Sequence, residues 1–232
     1  MTARDTLRLT KPERGPIMES MVSEDLCAVI LAGGRSRRMG SNKALMTIGG
    51  RPLIQIVIER ALPLTQRILI SSDEGEEYRL LGFPVVPDRY RDHGPLAGLH
   101  AAMHHEHASL YLALACDLPG VPTPLLEYLV ACAEGYDAAI PRSRDGLAHP
   151  LCAVYRRSCL SRIEDALEHG ARKVIATFLD GPLRIRWVPH GDGPFDDSDL
   201  ANINTPGDLQ RLRLRMEGET SINSTYGSQL RK

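Results

Sequence analysis

Apolar residues along the chain fall into short unbroken runs, separated by stretches in which they recur at helical spacing. Leu26 to Leu31 and Leu110 to Cys116 are apolar throughout, as expected of parallel strands covered on both faces. Between them, Arg67 to Ser71 and Pro84 to Val86 predict two further strands. The spacing of Leu53, Ile56, Val57 and Leu62 behind Pro52 predicts a first helix that begins at the proline, and Asp73 to Leu81 a short acidic helix closed by Gly82. Helices are expected from Leu96 to His107 and from Pro124 to Glu134. Beyond Gly135 come strands at Asp137 to Pro141, Ala148 to Tyr155 and Arg184 to Val188. Helical stretches lie at Leu160 to His169, Lys173 to Leu179 and Pro206 to Met216.

The β-α-β-α-β opening predicts an α/β fold, a single-domain Rossmann-like three-layer sandwich with a mostly parallel central sheet. Ligands in such sheets bind beyond the carboxyl ends of the strands, so the loops after the strands are where chemistry is sought. The polar stretches Met1 to Asp25 and Glu217 to Lys232 lack usable periodicity and are expected to be disordered arms around a domain spanning 26–216. The second half reads as a substrate-facing addition to a nucleotide-binding first half.

Composition narrows the class. The 232 residues are 43% hydrophobic and 25% charged, ordinary values for a globular protein. A net charge of −1 argues against a general nucleic-acid or membrane-surface binder. No run approaches a membrane span and no secretory h-region is present, so a cytoplasmic location is expected. The five cysteines contain no C-x-x-C pair and read as small buried hydrophobes, not a disulfide framework or zinc site.

Against that near-neutral background, the loop after the first strand stands out. Gly33 and Gly34 follow the apolar run, and Arg35, Arg37, Arg38 and Lys43 follow the glycines. This is either a phosphate-binding loop or a solvated basic turn. It is neither a Walker loop, since Gly40 is followed by Ser41 and Asn42 before Lys43, nor a Rossmann fingerprint, since the glycines are adjacent. Asp117 ends the most apolar strand. It is either a carboxylate for Mg²⁺, which takes one or two carboxylates plus phosphate oxygens, or a turn residue before Pro119. Asp88 occupies a similar position after the third strand, where it either accepts hydrogen bonds from a base or ribose or caps its loop. Gly98, in Gly94-Pro95-Leu96-Ala97-Gly98, is a place for close ligand approach. His100 and His104 share a helix face but lack the Glu of H-E-x-x-H, and are read as solvated. No G-x-S-x-G supports acyl transfer.

Taken in order, LAGGRSRRMG with Lys43, PDRYRDHGPLAGL, ACDLP, His149-Pro150 in AHPLCAVY, GARKV and ANINTPGDL resemble the molybdenum cofactor guanylyltransferases, over about Cys27 to Leu209. The resemblance implies a Mg-dependent nucleotidyltransferase that transfers GMP from GTP to the phosphate of molybdopterin and releases pyrophosphate. It implies that Leu31, Ala32 and Gly33 contact the guanine nucleotide and that Gly34 to Arg38 line its phosphates. Lys43 would neutralise phosphate charge, Asp88 would belong to the GTP pocket, and Asp117 would bind Mg²⁺ and GTP. Lys43, Asp117 and Arg38 are thereby the expected catalytic groups, with Asn202 and Asn204 on the pterin side. Transient contacts with cofactor-synthesis or acceptor proteins are also implied. Two positions depart from the family pattern: Asn42 where Asp commonly precedes the lysine, and Asp73 where Asn is frequent. A cytidylyltransferase, another nucleotidyltransferase acting on a phosphorylated acceptor, and a non-catalytic nucleotide-binding protein are the competing readings.

Overall fold

The computed structural model describes residues 25–33, 42–171, 173–179, 181–205 and 207–215. The expected arm before Asp25, the tail after 216 and most of the basic loop, Gly34 to Ser41 with Arg38, lie outside the described residues. In chain order the elements are β1 (Leu26–Leu31), β2 (Thr47–Ile48), β3 (Arg51–Pro52), α1 (Leu53–Ala61), β4 (Ile68–Ser71), α2 (Gly75–Tyr78) and β5 (Val85–Val86). Then follow α3 (Pro95–His105), β6 (Leu110–Ala115), α4 (Thr123–Cys132), β7 (Ala138–Arg142), β8 (Cys152–Arg156), α5 (Leu160–Glu168), α6 (Val174–Leu179) and β9 (Ile185–Pro189). A last helix, α7, covers 207–215.

Among the described residues seven strands form one sheet in the order β5-β4-β1-β6-β8-β7-β9, and β2 pairs with β3 in a separate hairpin. Within the large sheet only β8 runs against its neighbours, pairing antiparallel with both β6 and β7. β1 pairs parallel with β4 on one side and with β6 on the other. The chain therefore leaves β1 in one direction through β4 and β5 and returns to its other side at β6. The crevice beyond the ends of β1 and β6 is the switch point where α/β sheets hold ligands.

Alternation along β1 shows the three layers. Leu26, Ala28 and Ile30 pack with α1, Tyr78 and α4 on one face. Cys27, Val29 and Leu31 pack with α3, α5 and α6 on the other. Both faces being covered explains the unbroken apolar runs. A smaller cluster of Ile48, Leu53, Ile56, Ile203 and Leu212 fixes the hairpin, the start of α1, the 201–204 segment and α7 to one another.

Some local expectations are corrected. Pro52 is not the first helical residue; it lies in β3 and caps α1 from outside. The strand expected from Ala148 begins only at Cys152, and Ala148 makes an isolated bridge to Arg142. Asp25, placed in the arm, accepts the Ser109 amide through Oδ1 at 3.1 Å and so belongs to the fold. All five cysteines are free, with Cys27, Cys152 and Cys159 buried. Among the described residues no helix is long and apolar enough to cross a membrane.

Candidate active site

The centre of the crevice is an ion pair between residues far apart in sequence. Lys43 Nζ donates to Asp117 Oδ2 at 2.8 Å and to Asn204 Oδ1 at 2.8 Å. The two charged side chains are 13% and 21% exposed, so the pair is sheltered yet open on one side. Each partner is held from behind. Asn42 precedes a short 3₁₀ turn, Lys43–Leu45, and its Oδ1 accepts the Ala44 amide at 3.0 Å, which sets the direction of Lys43. Asp117 follows β6, where Cys116 donates its amide to the Leu31 carbonyl at 3.1 Å and extends the β1–β6 pairing by a residue. The Asp117 carbonyl accepts the Ile203 amide at 2.9 Å, and the Ile203 side chain is buried in the small cluster. Asn204 thus reaches Lys43 because its neighbour is anchored.

The expected nucleotide residues gather at the same sheet edge. The Leu31 side chain is buried in the core, and the Ala32 amide donates to the Ser71 carbonyl at 3.0 Å. Gly33 is the first exposed position after β1. A Cβ there would lie 3.8 Å from the Ser71 carbonyl oxygen, an ordinary contact, so the fold itself does not require glycine. Gly34 and Arg38 lie outside the described residues.

Asp88 is half-buried and accepts from Ser71 Oγ through Oδ1 at 3.1 Å. Burial pushes its carboxyl above the usual range, the Ser71 hydrogen bond opposes that, and the neighbouring Asp73 charge adds to it. Asp73 accepts the Asp88 amide through Oδ1 at 3.2 Å. Asn can accept that bond equally well, so the departure at Asp73 keeps the loop brace. Gly94 enters α3 at φ 65, ψ −155, which needs glycine. Gly98 has a different reason: a Cβ would collide with Ser71 Oγ and lie 2.9 Å from Leu31 Cδ2. The space beside Gly98 is filled by the protein's own side chains, so the glycine serves helix packing and not the ligand approach expected of it.

The departure at Asn42 also has a local cause. Asn42 Nδ2 donates to Tyr78 Oη at 2.8 Å, to Glu77, and to Glu74 at 3.5 Å. An aspartate at this position would lose the donors and face two carboxylates. This acidic pair, Glu74 just before α2 and Glu77 within it, was not legible as a partner of Asn42.

Beside Asp117 a cavity of about 450 Å³ is lined by Ser143, Asp145, His149, Asp197 and Asn202 among others. Asn202 is thus brought to this cavity and Asn204 to Lys43, so the two asparagines divide between adjoining places. His149 Nε2 lies 3.2 Å from Ser143 Oγ. Burial lowers the pKa of His149, against the opposing pull of Asp145 and Asp197. Ser143, Asp145 and Asp197 carried no sequence signal.

The solvated helix face expected for His100 and His104 is corrected at His100, which is buried.

A cation and a carboxylate that converge beyond the ends of two adjacent parallel strands suit a site that handles phosphate and its counter-ion. Comparison with known proteins agrees. Residues 28–182 match the family described as the MobA-like NTP transferase domain. A probable molybdenum cofactor guanylyltransferase of Pelotomaculum thermopropionicum is 39% identical over 193 residues, covering 82% of this chain and 92% of that protein. A molybdenum cofactor guanylyltransferase of Shewanella sp. strain ANA-3 is 35% identical over 195 residues, covering 82% and 96%. The crystal structure of molybdopterin-guanine dinucleotide biosynthesis protein A from Archaeoglobus fulgidus superposes with a TM-score of 0.69 at 28% identity, covering 82% of this chain and 98% of that one. The chain belongs to the molybdenum cofactor guanylyltransferase family, and as such is a nucleotidyltransferase.

Proposed function

We propose that the protein transfers GMP from GTP to the terminal phosphate of molybdopterin, in the cytoplasm. The observation that carries this reading is the Lys43–Asp117–Asn204 constellation at the switch point, in a chain of this family. An acceptor phosphate oxygen forms the new bond to the α-phosphorus of GTP, and the α–β bridging bond breaks to release pyrophosphate. The acceptor supplies the nucleophile, so the protein must position and neutralise charge and needs no nucleophilic side chain.

The donor set fits Mg²⁺. Among the described residues, Asp117 offers a hard carboxylate whose Oδ2 is bonded only to Lys43 and whose Oδ1 has no donor. Asp117 would hold the ion, which would supply positive charge to offset that of the phosphates. Lys43 places a fixed cation toward the β- and γ-phosphates. Asn204 holds the Lys43 ammonium in that direction. The backbone at Gly33, together with Leu31 and Ala32, forms the nucleotide wall, which accounts for a glycine the fold does not need. Asp88 accepts from the guanine or ribose. The adjoining cavity with Asn202 and His149 receives the pterin. Molybdopterin passes between proteins in transient complexes.

The test is incubation with each of GTP, CTP, ATP and UTP, with and without molybdopterin, measuring pyrophosphate and dinucleotide. Product with GTP and molybdopterin together supports the reading. Preference for CTP, or nucleotide binding without pyrophosphate release, overturns it.

A further inference from the structure

On the face of the sheet away from Lys43 and α1, His100 and His104 of α3 meet Glu164 of α5. The i, i+4 spacing puts both imidazoles on one side of α3, with ring centroids 4.5 Å apart. Their available ligand atoms and a Glu164 oxygen all lie within 4.8 Å of one another, the one such group of three among the described residues. His104 Nε2 is 2.7 Å from Glu164 Oε1, and His100 Nε2 is 3.6 Å from the same oxygen. A tetrahedral zinc ion with bonds of about 2.0–2.2 Å separates its ligand atoms by about 3.3 Å, between those two values.

His100 supplies an independent reason to look for a ligand. Its side chain is 4% exposed, yet among the described residues Nδ1 has no hydrogen-bond partner, and Nε2 stands beyond normal hydrogen-bond reach of the carboxylate. A buried imidazole left this way is costly; an ion would give Nε2 the close partner that Glu164 at 3.6 Å does not, and would leave Nδ1 as it is. His104 and Glu164 are 29% and 37% exposed, so water can reach a fourth coordination position.

We infer that His100, His104 and Glu164 form a binding site for one divalent transition-metal ion of the zinc class, separate from the Asp117 site. Two imidazoles and one carboxylate suit zinc, cobalt or nickel and not Mg²⁺, which prefers oxygen donors. The ion would tie α3 to α5. It would also steady the loop before α3, because Tyr90 packs edge-on against His100 with centroids 5.0 Å apart, two residues after Asp88. Occupancy would thus stiffen the Asp88 wall of the nucleotide pocket without touching substrate.

The experiment is Co²⁺ titration of the full, untagged chain, followed by visible d–d absorption and by competition with Zn²⁺. The expected result is one Co²⁺ per chain, displaced by Zn²⁺. At a hundredfold excess of Zn²⁺ over Kd, Tm should rise by about 5–10 °C. Glu164→Gln and His104→Gln, at half-exposed positions, should each weaken Kd by at least about tenfold with unchanged circular dichroism. His105→Ala, at an exposed neighbouring position, should leave Kd unchanged. Absence of saturable 1:1 binding, or Kd within threefold of wild type in both Glu164→Gln and His104→Gln, overturns the site.

Discussion

Replacing Asp117 with Asn keeps the shape of the side chain and removes the anion that faces Lys43. The ammonium would still have the Asn204 oxygen at 2.8 Å, but its other 2.8 Å partner would become a neutral amide. A charge-assisted hydrogen bond contributes about 1.5–3 kcal/mol, and the 13% and 21% exposure of the two side chains admits some solvent screening. The stability loss should therefore be about 2 kcal/mol or less, or a fall in Tm of about 4–8 °C for a chain of this size. Activity should fall much further. Removing one preorganised electrostatic group commonly costs about 10²–10³ in kcat, and here the carboxylate proposed to hold the metal is lost as well, so a drop of about 10³ or more is expected. The assay is pyrophosphate release with saturating GTP, Mg²⁺ and molybdopterin, run beside thermal melts of Asp117→Asn, Lys43→Met and the double variant. The stability cycle should show coupling of about 1–2 kcal/mol between the two positions. Asp117→Asn that is stable and turns over within threefold of wild type would refute the reasoning.

Asn42→Asp should lower stability by about 1 kcal/mol, because the amide donors to Tyr78 and Glu77 are lost and a new carboxylate meets Glu74 and Glu77. Those like charges raise the new group's folded pKa, so melts at pH 4 and pH 7 should show the larger deficit at pH 7. Ser71→Ala removes the hydrogen bond that restrains the already raised Asp88 carboxyl. Since a raised folded pKa gives stability that is present at low pH and lost as pH rises through the folded pKa, the variant's melts should worsen more steeply than wild type as pH rises above about 4, the ordinary Asp range. Ile203→Ala empties a buried position in the cluster that anchors Asn204, and should cost about 2–4 kcal/mol in urea unfolding and lower kcat as well. Stability loss without any loss of kcat would separate that anchor from the site.

The sheet was legible wherever burial on both faces writes a continuous apolar run, as at Leu26–Leu31 and Leu110–Ala115. The antiparallel course of β8 was not, because strand direction depends on pairing partners and not on composition. Lys43 and Asp117 stood out individually as a cation and an anion at element ends. Their contact, and the part Asn204 plays in it across 161 positions, exist only once Ile203 is buried against α1. Asn42 looked like a departure because its partners, Glu74, Glu77 and Tyr78, sit on a different element. Gly98 was noticed for the wrong reason: a glycine spared for a ligand and one spared for Ser71 and Leu31 look alike in sequence. His100 was misplaced on a solvated face because the spacing of two histidines does not say which side of the helix Tyr90 and α5 cover.

The most direct test is a crystal structure of the protein with Mg²⁺ and a GTP analogue that cannot be cleaved between the α- and β-phosphorus. The account predicts β- or γ-phosphate oxygens within about 2.7–3.2 Å of Lys43 Nζ, the ion on Asp117, and guanine or ribose against Asp88. A triphosphate bound elsewhere, with the Lys43–Asp117 pair intact and untouched, would contradict it.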